Sequence, residues 1–270
     1  MTTLKTLATP CVLKDVVYGS VLGAGLVADV GVPGGSGPFP VVLSVHGGRW
    51  IRGTRQDNGA IDVKRWSEEF GFFSVAIDYR LVTCCAAPAC YEDVLCAIRW
   101  VRAHATEYNL DLSRFYLIGQ SAGGHMVSLA ATLGLGDFKK AGGWEDQSHE
   151  FTAGICVSGA YDLVTLDWGS GWLPAGVPWD IARTAASPLT HVKENLKKPL
   201  LILHSDDDHS VPVKQAVNFV NKLKEYNNDV TFLHYKDKGH MLLSEQNIHN
   251  ILLFIKNVQL ENTADHSDYI

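Results

Sequence analysis

A serine hydroxyl is surrounded by the smallest side chains of the chain in GQSAGGH, residues 119–125. The segment follows an apolar run typical of a buried strand and precedes a run typical of a tightly packed helix. Between a strand and a helix, G-x-S-x-G is typical of a sharp turn that exposes the serine as a nucleophile. The alternative is a glycine-rich turn in which Ser121 only caps the helix.

A nucleophilic serine needs a base at neutral pH, and candidates for a base and its acid follow it in the chain. HSDDDHSVP offers Asp206, Asp207 and Asp208, and KGHM offers His240. Each segment follows a predicted strand, and the order serine, acid, histidine is that of hydrolases with this turn. His209 is a rival base, but it lies too close to the acid segment for that order. The pattern predicts acyl transfer and leaves the choice of aspartate open.

The segment HGGRW, residues 46–50, follows another predicted buried strand. Its glycines allow the backbone to approach a substrate, and N–H groups there would face Ser121 and bind an oxyanion. Such donors contribute about 3–4 kcal/mol each in other enzymes. The alternative is an ordinary strand-to-loop turn. All four segments in this order favour an active site.

Strands alternate with helices along most of the chain, which predicts an α/β fold with a mostly parallel central sheet and helices on both faces. Weaker strands before residue 39 indicate an antiparallel edge. We predict a single domain over residues 1–270, in which residues 163–190 form a small lid-like excursion. The predicted strands lie within residues 39–48, 72–80, 113–120, 151–162, 199–208 and 230–240, of which the first range ends in a loop and the last in a turn. The longer predicted helices cover 91–110, 211–227 and 247–259.

Composition excludes several functional classes. The 270 residues carry a net charge of −6 with a pI near 6.0, which argues against nucleic-acid binding. No apolar run approaches the roughly 20 residues of a membrane helix. The N-terminal segment has no signal-like apolar core. We therefore expect a cytoplasmic protein, or a secreted one whose signal is absent from this sequence.

Six cysteines occur, four of them between residues 84 and 96. Their spacing lacks the paired C-x2-C arrangement of structural zinc sites, so we predict no metal. Free thiols are favoured, and a disulfide from Cys84 or Cys85 stays open.

The sequence resembles the α/β-hydrolase superfamily, in its carboxylesterase branch with an HGGxW motif. The resemblance spans most of residues 39–241 and is carried by HGGRW, IDYRL, DVLCAIRWVR, IGQSAGGH, ASPLTHV, LILHSDDDHSVP and KGHM. Within that branch the sequence is similar to bacterial esterases of the BD-FAE group, which act on feruloyl or acetyl esters. Kynurenine formamidases share HGGxW and the serine turn.

This resemblance implies a catalytic set. Ser121 matches the nucleophile and His240 the base. The pattern H-G-x-x-D-x-x-V-P of the family places the acid at Asp208. The sequence departs from the pattern at Ser205, where glycine is usual.

The resemblance also implies an oxyanion hole built from the backbone N–H groups of Gly48, Arg49 and Ala122. Arg49 stands where many relatives have glycine. Its cation could point into the mouth of the pocket, or it could form a surface ion pair, and we favour the ion pair.

The implied activity is that of a serine carboxylesterase acting on acetyl or hydroxycinnamoyl esters of carbohydrates, with no cofactor and with a small-molecule or oligosaccharide ester as substrate. An arylformamidase and a non-catalytic binding protein are the alternatives. Trp50, Trp172 and Trp179 are candidates for a substrate wall, although indole rings also serve as packing residues of a lid. The oligomeric state is not predicted.

Overall fold

The computed structural model describes residues 9–267, with side chains described as far as residue 260. The predictions for the N-terminal segment concern partly residues 1–8, which lie outside the described residues. Within the described range eight strands form one sheet: β1 Cys11–Val21, β2 Ala24–Val32, β3 Phe39–Val45, β4 Phe73–Ile77, β5 Leu110–Gln120, β6 Ala153–Val157, β7 Leu200–Ser205 and β8 Val230–Tyr235.

The sheet has the strand order β1-β2-β4-β3-β5-β6-β7-β8. Strands β4, β3, β5, β6, β7 and β8 pair in parallel, whereas β1 and β2 add an antiparallel edge. Every residue of β4, β6 and β7 is buried, as expected for parallel strands covered on both faces. The predicted α/β-hydrolase fold class, including the antiparallel edge, is confirmed.

Helices cover both faces of the sheet. The helices are α1 Val63–Glu68, α2 Ala89–Ala103, α3 Ala105–Tyr108, α4 Ala122–Thr132, α5 Trp179–Ala186, α6 Lys214–Glu225 and α7 Glu245–Ser267, with 3-10 turns at Asp167–Gly171 and Pro188–His191. The hydrophobic cluster on one face joins residues of α2, α4 and α6 with Val41 and Leu43 of β3, whereas the cluster on the other face joins residues of α1 and α7 with Val42.

The helix predicted over residues 91–110 is interrupted. Its first part, α2, ends at Ala103, because the backbone of His104 leaves the helical region at φ −97° and ψ 8°. The short α3 then ends at Asn109, whose left-handed φ of 49° turns the chain directly into β5. The last predicted helical residues therefore form a turn and the beginning of a strand.

The parallel strands all end at one edge of the sheet, where the chain segments that follow them meet. These segments contain His46, Ser121, Ser158, Asp208 and His240. The shared sheet supports our proposal of one domain over residues 1–270. No described helix is both long enough and apolar enough to span a bilayer. All six cysteines lie among the described residues as free thiols.

Candidate active site

Ser121 lies between β5 and α4 in a strained conformation, with φ 55° and ψ −116°. Its N–H donates to the carbonyl of Val157 on the neighbouring strand, at 2.8 Å. The turn requires glycine: a Cβ at Gly123 would lie 1.9 Å from the carbonyl oxygen of Val45, and one at Gly119 would lie 2.3 Å from the carbonyl carbon of Gly123. Strained backbone of this kind persists where the surroundings enforce it, which here presents the serine at the edge of the sheet.

Asp208 and His240 are in contact. The Nδ1 atom of His240 lies 2.9 and 3.0 Å from the two carboxylate oxygens of Asp208. The N–H groups of Ser210 and Val211 donate to the same carboxylate at 2.9 and 2.8 Å. The Nε2 atom of the buried His204 lies 3.3 Å from it. Burial alone would raise the pKa of Asp208, but the hydrogen bonds from His204, His240 and Val211 outweigh burial and hold it well below its usual range.

The other two aspartates of the triplet face different partners. The carboxylate of Asp206 accepts from Nε2 of His234, at 2.6 Å. The carboxylate of Asp207 accepts from the N–H of Gly239, at 2.8 Å, and from the hydroxyl of Ser205, at 2.6 Å. Only Asp208 of the three contacts the His240 imidazole, so consecutive residues of one type have three separate roles.

Two serines hold the backbone on either side of His240. The hydroxyl oxygen of Ser205 accepts from the N–H of Lys238, at 2.9 Å, and that of Ser158 accepts from the N–H of Met241, at 3.0 Å. Serine at position 205, where glycine is usual in related sequences, therefore adds an anchor for the histidine loop. Neither serine could be assigned this role from the sequence, because the contacts join segments far apart in the chain.

Ser121 and His240 are not hydrogen-bonded to each other. The Nε2 atom of His240, which would accept the serine proton, lies 3.2 Å from the amide nitrogen of Gln120. Among the described residues no hydrogen bond reaches the hydroxyl of Ser121. The structure thus brings Asp208, the predicted acid, into contact with His240, the predicted base. Ser121, the predicted nucleophile, directly follows Gln120, whose amide contacts that base.

The oxyanion segment lies against the serine turn. A Cβ at Gly47 would lie 3.1 Å from the Cβ of Ser121, which is closer than most side chains pack, so glycine allows this approach. Gly48, Arg49 and Trp50 all have positive φ, at 114°, 55° and 63°. Two consecutive non-glycine residues in the left-handed region carry strain, which is typical of a functional loop.

Donors for an oxyanion are present in this segment and in the serine turn. Among the described residues, the N–H groups of Gly48, Arg49 and Ala122 donate no hydrogen bond to the protein. The segment is braced by Tyr79, whose hydroxyl donates to the carbonyl of His46 at 3.1 Å and whose ring stacks on the His46 ring at 4.1 Å. The arrangement can bind negative charge next to Ser121.

The structure does not support Trp50 as a substrate-contact residue. Its side chain is completely buried, and its Nε1–H donates to Nδ1 of His125, at 3.1 Å. The Nε2–H of His125 donates in turn to the carbonyl of Ala186 at the end of α5, at 2.7 Å. Burial lowers the pKa of His125 to about 4, so this imidazole is neutral and structural.

Trp172 is also buried rather than presented to a substrate, with 2% of its surface exposed. Its ring packs edge-on against Trp50, at 5.5 Å between centroids. Trp179 is different: it is 49% exposed, and the guanidinium of Arg183 lies 3.3 Å from its ring centroid. Of the three predicted wall residues, Trp179 alone has surface to offer a ligand.

The ion pair that we favoured for Arg49 is not found. The guanidinium of Arg49 lies 5.3 Å from the ring centroid of Trp168 and, among the described residues, is in no ion pair. The physical reason is its partner: the guanidinium lies near the indole of Trp168 in the excursion of residues 163–190, where a cation–π contact takes the place of an ion pair.

Two cavities adjoin the site. A cavity of about 280 Å³ is lined by Gly47, Gly48, Gln120 and Leu242 among others. A larger one, of about 770 Å³, runs between residues 55–66 and 242–248. Both are lined by Asp57, Asn58 and Leu242, which places them side by side. Together they form what we call the polar groove, leading away from the oxyanion segment.

Comparison with solved structures shows the same fold. A bifunctional GH43-CE protein of Bacteroides eggerthii superposes with a TM-score of 0.79 at 24% identity, over 92% of this chain and 35% of that one. A truncated carbohydrate esterase from gut microbiota superposes with a TM-score of 0.77 at 21% identity, over 94% of this chain and 98% of that one.

Comparison with curated proteins gives a relative of higher identity. The probable carboxylic ester hydrolase LipM of Mycobacterium tuberculosis is 33% identical over 203 residues, which cover 70% of this chain and 46% of that protein. The chain spans about half the length of the curated relatives it matches. The model of the BD-FAE family matches residues 29–223, well over half of the sequence. The predicted superfamily and branch are confirmed, and the chain belongs to the BD-FAE family.

Proposed function

We propose that the protein is a serine carboxylesterase with Ser121 as nucleophile, His240 as base and Asp208 as the acid. One observation carries this proposal: the buried Asp208 carboxylate holds Nδ1 of His240 at 2.9 Å, at the sheet edge where Ser121 is presented on a strained turn. A fixed anion behind an imidazole stabilises the imidazolium that forms when the serine loses its proton.

The proposed reaction has two steps. Nε2 of His240 exchanges the Gln120 amide for the Ser121 hydroxyl and takes its proton as the oxygen attacks the ester carbonyl. The N–H groups of Gly48, Arg49 and Ala122 bind the oxyanion, and His240 returns the proton to the departing alcohol. Water then attacks the acyl-enzyme in the same way and releases the acid. None of these steps calls for a cofactor.

The substrates that we propose are acetyl or hydroxycinnamoyl esters of carbohydrates. The names of relatives support the reaction, since LipM is named a probable carboxylic ester hydrolase and LipC an esterase. The names of two structural neighbours agree with a carbohydrate as the alcohol part of the substrate, since one is a carbohydrate esterase and another an acetyl ester-xyloside bifunctional hydrolase. Those two neighbours are only 21% and 19% identical, so the groove of this chain is the stronger support.

The polar groove suits a hydroxylated alcohol. On one wall Asp29 lies between Lys14, at 2.6 Å, and the guanidinium of Arg55, at 3.0 Å. Burial alone would raise the pKa of Asp29, but the hydrogen bonds from Lys14 and Arg55 outweigh burial and bring it to about 2. Asp57 and Asn58 stand where the two cavities meet. Fixed charges and amides at this position can bind sugar hydroxyls.

The test compares the purified protein with Ser121→Ala on p-nitrophenyl acetate, with Ser148→Ala as a matched control at an exposed serine. We expect Ser121→Ala to lose all but background hydrolysis and Ser148→Ala to keep the full rate. Equal rates in all three proteins would exclude Ser121 as the nucleophile.

Acetylated xylan, methyl ferulate and N-formylkynurenine then separate the substrate classes. We expect the highest kcat/KM on a carbohydrate acetyl ester or on methyl ferulate. A preference for N-formylkynurenine would overturn the substrate proposal in favour of an arylformamidase. No turnover of any ester by the folded protein would favour a binding role.

A further inference from the structure

Gln120 precedes the proposed nucleophile, and its side chain is almost completely buried, with 4% of the residue exposed. Its amide nitrogen lies 3.0 Å from the carbonyl oxygen of Met241 and 3.2 Å from Nε2 of His240. A carbonyl only accepts hydrogen bonds, so the group that faces Met241 has to be the NH₂ end of the amide. The orientation of the Gln120 amide is therefore settled by a neighbour other than His240.

The position of the amide is also enforced by the backbone around it. A Cβ at Gly47 would lie 2.1 Å from Oε1 of Gln120, and one at Gly59 would lie 2.9 Å from the same atom. Neither glycine has a positive φ, so backbone conformation does not account for the glycine at either position. The two glycines leave room for the amide oxygen, so three segments of the chain form a fitted slot for this side chain.

We propose that Gln120 is a positioning residue that holds His240 in the neutral, Nδ1-protonated tautomer. An amide NH₂ only donates, so Nε2 of His240 has to be the unprotonated acceptor. The ring proton then lies on Nδ1, where it is donated to Asp208 at 2.9 Å. This is the tautomer that can remove a proton from Ser121. Protonation of Nε2 would turn two N–H groups towards each other, so Gln120 disfavours the charged imidazole before substrate binds.

The other groups around His240 do not act on Nε2. Asp208 accepts from Nδ1 and so favours the same tautomer from the opposite side of the ring, with His204 behind it. Asp207 binds backbone at Gly239, and the exposed Lys238 pairs with Asp237 at 3.5 Å. Among the described residues Gln120 provides the one side-chain hydrogen bond to Nε2.

The inference deepens the proposed function, because it concerns the base of that reaction, and its first test does not need turnover. In ¹⁵N-histidine-labelled protein near pH 8, we expect His240 to show a protonated Nδ1 and an unprotonated, hydrogen-bonded Nε2. In Gln120→Met, which keeps the length of the side chain without a donor, the Nε2 resonance should move towards that of a free acceptor. An unchanged Nε2 resonance in folded Gln120→Met would overturn the assignment, whether or not the protein hydrolyses esters.

The second test is the dependence of kcat/KM on pH, which reports the ionisation of the free enzyme. Loss of one neutral hydrogen bond should move the acid limb of the kcat/KM profile in Gln120→Met to higher pH, by about 0.5 to 1 pH unit. Gln120→Glu should move it further, because a carboxylate at this position attracts the imidazolium. The exposed Gln246→Met serves as the control and should match the parent.

A purely structural role would lower the plateau rate and leave the acid limb in place. Acid limbs that coincide for the parent, Gln120→Met and Gln120→Glu would therefore contradict the proposal.

Discussion

The indole Nε1–H of Trp50 donates to Nδ1 of His125 across 75 positions of sequence, at 3.1 Å. The bond joins the oxyanion segment to α4, the helix that follows Ser121. His125 extends the link to α5 through the carbonyl of Ala186. Two residues of the motifs HGGRW and GQSAGGH are thus packing partners, and the tryptophan belongs to the scaffold of the site.

This link predicts a dependence of stability on pH. Burial lowers the pKa of His125 to about 4, below the usual 6.5, so the unfolded state binds a proton that the folded state does not. Stability should therefore fall as the pH drops from about 6.5 towards 4. Between pH 7 and pH 5 the loss from this residue is about 2 kcal/mol.

His125→Gln tests this prediction, because glutamine can accept from Trp50 and donate to Ala186 but does not titrate in this range. Urea unfolding at pH 7 and pH 5 should show a smaller pH effect in His125→Gln than in the parent. The exposed His249→Gln should keep the pH dependence of the parent. A pH dependence equally steep in His125→Gln would count against the buried, neutral imidazole.

The three neighbouring aspartates predict three different losses of activity. Asp208→Asn should lower kcat by about 10⁴-fold, because an amide can hold His240 in the wrong tautomer. Asp207→Asn keeps an acceptor for the N–H of Gly239 and should lose about tenfold or less. Asp206→Asn weakens only an exposed pair with His234 and should stay within about twofold of the parent.

Steady-state kinetics on p-nitrophenyl acetate measures all three variants, and circular dichroism checks that each is folded. A larger loss in Asp206→Asn or Asp207→Asn than in Asp208→Asn would show that the proposed acid is misassigned.

Gly47 predicts a steric effect on activity. In Gly47→Ala the new Cβ would meet Oε1 of Gln120 at 2.1 Å and the Cβ of Ser121 at 3.1 Å. Relief of this contact has to move the Gln120 amide out of its slot beside His240 or displace the oxyanion segment or the serine turn, and a displacement near 1 Å can cost about 100-fold in rate. Overpacking should also cost about 1–3 kcal/mol of stability.

The matched control for this change is Gly25→Ala, where the nearest atom to the new Cβ is 3.5 Å away on Val17. Kinetics and thermal unfolding of both variants check the prediction. Full activity in Gly47→Ala would mean that the oxyanion segment and the serine turn are not held in this contact.

Two tryptophans of the excursion should separate stability from substrate binding. Trp172→Ala removes a buried indole that packs against Trp50 and should cost about 3–5 kcal/mol of unfolding free energy. Trp179→Ala removes a half-exposed ring and should change stability by about 1 kcal/mol or less.

If Trp179 forms part of a substrate wall, its variant raises KM on an oligosaccharide ester more than on p-nitrophenyl acetate. The same fold-change in KM on both substrates would place Trp179 outside the wall.

Much of the scaffold could be predicted because its signals are local. Apolar runs predict the parallel strands, and the glycines around Ser121 predict a tight turn. The order of serine, acid and histidine could also be predicted, because each of these residues lies directly after a predicted strand. Errors occurred where a boundary depends on one backbone conformation, as at His104. They also occurred where a large side chain could face either the core or a ligand, as at Trp50.

By itself, the sequence determined the α/β class, the position of the serine turn and the order of the candidate site segments, because these depend on periodicity and on residues that only a sharp turn accepts. Only the tertiary structure decided which side chains meet. Asp206, Asp207 and Asp208 are chemically identical, and their roles differ because the loop after β7 points each towards a different neighbour. The contact of Gln120 with His240 likewise joins residues 120 positions apart, and such a contact exists only once the strands lie side by side.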